Sequence, residues 1–296
     1  MSKLIRAGFF RYFHSEVFKA CSALTLLLSL IMALRIRGGV EINEYCFVLE
    51  TTVFAVMIAL SLGNEASNHM KNKVLKGYSR TLLYFSEMTV AVSLVSLYFV
   101  WFAALCFVFN IEILSHIPVS LMLSCIFGFY LMAVMLTSAF VFIACAASGK
   151  AVAAIVCLVL VIGLYMTSTF ADAFLAEPQY YKVGQQMQTG EFEYYPEENP
   201  TYVDEPLRSV LVFYRNTNPY GQRAKYEDIA SPFLYSDEKW EAAKEAIADT
   251  LGSDVLDREI SEDEIKFLRQ TPLFALIPIP FFVLVGWLVF RKRSFR

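Results

Sequence analysis

The chain has 296 residues, 57% of them hydrophobic, with a mean hydropathy of +0.50. Soluble domains are about 45–50% apolar, so this composition excludes an ordinary soluble protein and points to a polytopic membrane protein. The net charge of −3 says little as a sum; where the charges fall says more, and no nucleic-acid partner is expected.

Residues 1–16 read as a helix lying in the membrane interface. Ile5, Phe9, Tyr12 and Phe13 recur at helical spacing with Lys3, Arg6 and Arg11 among them, the pattern of an amphipathic interfacial helix. The apolar run that begins near Val17 lacks a small-residue cleavage site, so it reads as a retained span rather than a signal peptide. Five more runs follow. A bilayer crossing needs about 20 apolar residues, and the expected spans are 17–34, 45–62, 82–109, 117–147, 151–170 and 272–290.

Lys and Arg in short loops orient such a chain. Lys3, Arg6 and Arg11, then Lys71, Lys73, Lys76 and Arg80, then Lys150, then Arg291, Lys292, Arg293 and Arg296 all fall on one side of a six-span arrangement, which is then the cytoplasmic side. Arg35 and Arg37 are the exception. Both ends of the chain are expected in the cytoplasm of a multi-pass plasma-membrane protein.

Between the second and third runs lies "NEASNHMKNKVLKGYSR", residues 64–80. It predicts a short cytoplasmic helix over 65–76. Asn64 is the cap candidate, Glu65 suits the positive end of the helix dipole, and Lys73 and Lys76 suit the negative end. Gly77 is the natural stop. Met70 and Val74, four residues apart, are candidate apolar anchors for a docking partner, with Glu65 and Lys73 as a charged rim.

Residues 172–270 form the one large polar region, expected outside the cell. They hold 21 of the 28 acidic residues and 10 of the 25 basic ones. A mainly helical domain is expected, packed partly on the membrane domain. "PLRSVLVFYRNTNPYGQ" is an amphipathic helix ended by Asn218, Pro219 and Gly221. "SDEKWEAAKEAIADTLG" is a helix capped at Ser236 and stopped at Gly252. "SEDEIKFLRQ" carries a capping box, Ser261 with Glu264, and leads to the last span through Pro272. "TGEFEYYPEENPTYVDEP" reads as turn-rich.

Catalytic chemistry is missing. "ASGKAV" around Lys150 has only the Gly-Lys pair of a phosphate loop. His14, His69 and His116 are scattered, and the six cysteines lie in or beside apolar runs without metal or disulfide spacing. No catalytic residue, metal or cofactor is assigned to this chain. Two acids stand inside spans, Glu50 and Glu87. Intramembrane acids are costly and often functional, so they are candidates for a translocation path or for polar contacts between helices.

On these features, above all "NEASNHMKNKVLKGYSRTLLYFSEM", the chain resembles the permease subunit of a type-2 ABC transporter, the six-span bacterial exporters. Many Firmicutes-type members carry a phrase like "NK-L--GYSR" after a leading Glu. Glu65, Asn72, Lys73, Leu75, Gly77, Ser79 and Arg80 stand at the matching positions. The resemblance covers the whole topology and is specific in sequence around 64–88; the long outside region departs from compact members. It implies an all-α fold: an interfacial elbow helix (1–16), spans one to five (17–171) with a cytoplasmic coupling helix (64–80), an extracellular insert (172–270), and span six with a basic tail (271–296). It also implies that ATP and magnesium are handled by a separate cytoplasmic ATPase subunit. That subunit would dock on a coupling helix whose candidate residues are Glu65, His69, Met70, Lys73, Val74, Gly77 and Arg80. The permease would pair with a second copy or a paralogue, within membrane lipid, and export a peptide, antibiotic or lipid-like cargo. The competing expectations are a membrane-anchored receptor or sensor, and an immunity protein that binds an antimicrobial peptide.

Overall fold

Without water to bond to, a backbone in lipid satisfies its polar groups most readily as a helix, and every described apolar run of this chain is helical. The computed structural model describes residues 1–37, 44–63, 69–147, 149–186, 192–230, 233 and 262–292. In order these form α1 (Ser2–His14), α2 (Glu16–Arg37), α3 (Glu44–Gly63), α4 (His69–Leu75), α5 (Arg80–Phe109), α6 (Ile111–His116), α7 (Val119–Ala146) and α8 (Lys150–Ala176). Then come strands β1 (Tyr180–Gln186) and β2 (Phe192–Glu198), and helices α9 (Leu207–Thr217), α10 (Pro219–Ala230), α11 (Glu262–Leu276) and α12 (Pro278–Lys292).

Five stretches are long and apolar enough to cross a membrane: Glu16–Ile36, Arg80–Phe109, Val119–Ala146, Lys150–Ala176 and Glu264–Lys292. The expected second span is the exception. Its apolar part, Phe47–Leu62, is a shorter apolar helix within α3.

The last span also differs from expectation. Pro272 lies inside α11, and the break comes at Ile277 instead. Pro278 and Pro280 then occupy the first turn of α12, where a missing N–H costs nothing. Residue 278 has no N–H to offer the Phe274 carbonyl, which accepts from Ile277 N at 3.4 Å.

The helices form one bundle in which α3 lies along α8, α12 along α7, and α2 against both α3 and α5. Tyr84, Phe140, Phe290, Met57 and Leu62 are fully buried in its core. Helix association in lipid relies on close packing and interhelical hydrogen bonds rather than on water expulsion. Both are present. A Cβ on Gly286 would strike the Tyr84 hydroxyl. Ser22 and Tyr98 hydroxyls meet at 2.5 Å, Ser96 and Tyr130 at 2.9 Å, and Asn110 Nδ2 donates to the Ala33 carbonyl at 3.0 Å.

Two ends of the bundle are distinct. At one, Arg80 donates to the Arg291 carbonyl at 2.8 Å and Trp287 Nε1 donates to Thr81 Oγ1 at 3.1 Å. This end also receives α1, whose buried face is Leu4, Gly8 and Tyr12. The expected stripe is therefore rotated: Ile5 and Phe9 are half-buried against the core, whereas Phe13 is exposed. Gly8 permits the approach, since a Cβ there would lie 2.9 Å from Val90 of α5.

At the other end sits the insert. β1 and β2 pair antiparallel, Tyr180 opposite Glu198 and Gln186 opposite Phe192, so the segment read as turn-rich contains a strand. α9 ends at Thr217 as expected, but Asn218 and Pro219 also start α10. Asn218 Oδ1 accepts from Tyr220 N at 2.9 Å, an N-cap with Pro at the first helical position. α10 tucks between α7, α8 and α11, and Gly221 lies inside it rather than ending α9. Tyr226, Ile229, Phe233, Phe267, Leu121 and Met132 form a second core there. The expected helix over 236–252 and the Ser261 cap lie outside the described residues.

Candidate functional site

The short helix α4 ends as its sequence demands. Gly77 has φ +89°, a left-handed conformation that glycine adopts without a Cβ clash. Tyr78 N bonds the Lys73 carbonyl at 3.2 Å and Gly77 N bonds the Val74 carbonyl at 3.0 Å, the paired closure of a Schellman turn. Two residues later Ser79 caps α5, its hydroxyl accepting from Leu82 N at 3.2 Å. Chain direction thus changes within a single short turn between two well-defined helix termini.

The side chains of α4 divide differently from the sequence expectation. Val74, expected as an outward anchor, is half-buried against the protein's own core. Lys73, expected on an exposed rim, points to Glu87, Nζ 3.7 Å from Oε1. Leu75, at 75% exposed, and Tyr78 face outward instead. His69 and Met70 belong to α4, but their side chains lie outside the described residues, as does all of Glu65. Arg80 turns to the end of α12.

Glu87 is the centre of an ionic cluster. Its side chain is 2% exposed. Arg11 of α1 grips it with both guanidinium ends, Nη1 to Oε1 at 3.1 Å and Nη2 to Oε2. A buried carboxylate is tolerated when paired in good geometry, and stranding it by removing a partner is strongly destabilising. Glu87 therefore ties α1, α4 and α5 together, which is the helix-contact role and not a lining of the described cavity. The sequence marks Arg11 only as an orienting charge. The further signal it carries is its place one helical turn beyond Gly8, the small residue that brings α1 against α5.

Glu50 has other surroundings. It accepts one hydrogen bond, from Ser29 of α2 at 2.9 Å, and no described cation pairs with it. It lines a cavity of ≈ 270 Å³ bounded by α2, α3, α5, α7 and α10. Aromatic rings make much of the wall. From α10 come Tyr226, Arg223 and Glu227; Arg223 pairs with Glu227 and sits 5.7 Å over the Phe47 ring. Tyr226 seats against Gly128 of α7, where a Cβ would collide with its ring. Thr51 and Tyr220 hydroxyls, 2.7 Å apart, join α3 to the same helix.

No family model, curated protein or solved structure matches the chain. Its function is therefore argued from its own geometry.

Outside the spans, Glu177 at the end of α8 accepts from Tyr181 Oη at 2.5 Å and from Asn199 Nδ2 at 3.0 Å. These bonds, Tyr181 first, hold its carboxyl below the usual carboxylate range. They fasten the start of the hairpin to the end of α8. Among the described residues, no three His, Cys, Asp or Glu side chains come together as a metal site would require.

Proposed function

We propose that this chain is the membrane permease of an ATP-driven exporter, with six spans, a cytoplasmic basic end and an extracellular insert. The observation that carries this reading is the linkage of α4. A short polar helix, closed by a left-handed glycine, is joined through Lys73 to Glu87 and so to α5, while Arg11 brings α1 into the same cluster. A push on α4 would reach α5 and α1 through short, buried contacts. Leu75 and Tyr78 remain outside that cluster and form the surface on which an ATPase subunit acts. Counting α3 as a span is consistent with its length, since its 20 residues extend about 30 Å at 1.5 Å per residue. α1 is then the elbow helix, the cargo a peptide, antibiotic or lipid-like molecule, and a second permease copy or paralogue completes the transporter.

The test is purification from membranes of the native host. An ABC-type ATPase subunit should accompany the chain, with ATP hydrolysis sensitive to vanadate. Leu75→Ala combined with Tyr78→Ala should release it, because truncating a true anchor costs about 2 kcal/mol or more. A chain that purifies without an ATPase, yet still binds ligand, would favour the receptor or immunity-protein reading instead.

A further inference from the structure

The cavity beneath α10 combines three features. Its walls are aromatic and aliphatic, with Phe47, Phe54, Tyr98, Phe99, Phe102 and Phe129 among them. It holds the carboxylate of Glu50, whose described partner is the Ser29 hydroxyl alone. It is also lined by Asn110, 2% exposed, whose Nδ2 is committed to the Ala33 carbonyl while its Oδ1 has no partner among the described residues. The groups that Glu50 and Asn110 leave open are thus acceptors, and one is a carboxylate once ionised. Buried polar groups are costly unless hydrogen-bonded. A neutral lipid chain would leave both unsatisfied, and an anion would be repelled by Glu50.

We propose that this cavity binds a lipophilic ammonium ion, an apolar aromatic or aliphatic body bearing a protonated amine. The ammonium donates to Glu50 and to Asn110 Oδ1, and the body fills the aromatic walls, whose ring faces attract cations. Arg223, already lying over Phe47, demonstrates that the wall accepts a cationic group. α10 closes one side of the cavity, with the Arg223–Glu227 pair in its wall. That such a ligand is also the cargo rests on the exporter reading; the binding does not.

The test uses the full-length chain in lipid nanodiscs and 3,3-diphenylpropylamine as probe, with 3,3-diphenylpropanol as its uncharged counterpart. Binding is measured by equilibrium dialysis, with empty nanodiscs subtracted. Saturable uptake of one amine per chain is expected, with the alcohol at least about tenfold weaker, a difference of about 1.4 kcal/mol. Glu50→Gln keeps an acceptor for Ser29 and should weaken the amine about 30-fold, the loss typical of truncating one partner of a buried charge pair. Equal binding of amine and alcohol, unchanged affinity in Glu50→Gln, or no saturable binding overturns the proposal. The amine–alcohol comparison needs no variant, so it stands even where Glu50→Gln fails to fold. Because no ATPase is present, loss of the exporter reading leaves this result intact, and loss of binding leaves the ATPase purification intact.

Discussion

Glu87, in the first third of α5, lies between cations from α1 and α4 at the basic end of the bundle. Glu50, in α3 near the insert, has one hydroxyl and an open cavity beside it. The two acids look alike in sequence, each a lone carboxylate in an apolar run. Their surroundings separate them: the protein completes the coordination of one and leaves the other incomplete. A charge neutralised inside the fold serves the fold, whereas a charge left with spare acceptor capacity can serve a ligand.

The sharpest way to break this contrast is to remove Glu87. Glu87→Ala removes the buried carboxylate that Arg11 and Lys73 share, both of them partly exposed, and is expected to cost about 3 kcal/mol through the lost charge-assisted hydrogen bonds, read as a large fall in the unfolding midpoint of the detergent-solubilised protein. A fall no larger than that of a surface substitution would mean the cluster is not structural. At the other end, Gly128→Leu would drive Tyr226 out of its seat. Overpacking of this kind costs about 1–3 kcal/mol, and the loosened α10 should expose Cys125, which lines the cavity, to a thiol reagent. Unchanged labelling of Cys125 would show that α10 does not cover the cavity.

Glu50→Gln gives the counterpart to the Glu87 variant. It retains the Ser29 hydrogen bond, and one such bond is worth only about 1 kcal/mol net, so the unfolding midpoint should move little. A collapse as large as that of Glu87→Ala would place both acids in the same structural class and dissolve the contrast. The smallest effect concerns Glu177, a third acid, which is half-buried at the end of α8. Its folded pKa is lowered by Tyr181 and Asn199, so the stabilisation is complete above its unfolded pKa of about 4.3 and is lost as pH falls through the folded value. Acid titration of hydrogen-exchange protection in β1 should show this loss, and Glu177→Gln should flatten it.

Much of the architecture is legible because lipid leaves few choices: an apolar run of sufficient length becomes a helix, and Gly77 and Lys73 sit where a helix ends. The legible part stops where partners are distant in sequence. Nothing local distinguishes Lys73 facing inward from Lys73 on a rim; Glu87, on the next helix, decides it. Val74 reads as an anchor because helical spacing pairs it with Met70, yet spacing cannot say which face the core takes. Asn218 and Pro219 read as a stop, although the same two residues are equally a start, and only the burial of Tyr220 and Tyr226 reveals the second helix. The cavity acceptors are half visible: Glu50 stands out as a charge, while Asn110 looks like an ordinary loop residue.

The contacts that fasten α12 to α5 set an order of events during synthesis. Thr81 and Trp287, which bond each other, are 206 residues apart. At about 5–20 residues per second, the groove on α5 stands without its natural occupant for roughly 10–40 s after it emerges. Over that interval the ring of Tyr84 is a knob awaiting a hole that only Gly286, among the late residues of α12, provides. α12 is thus made well after the groove it closes, and its glycine sets which helix fits.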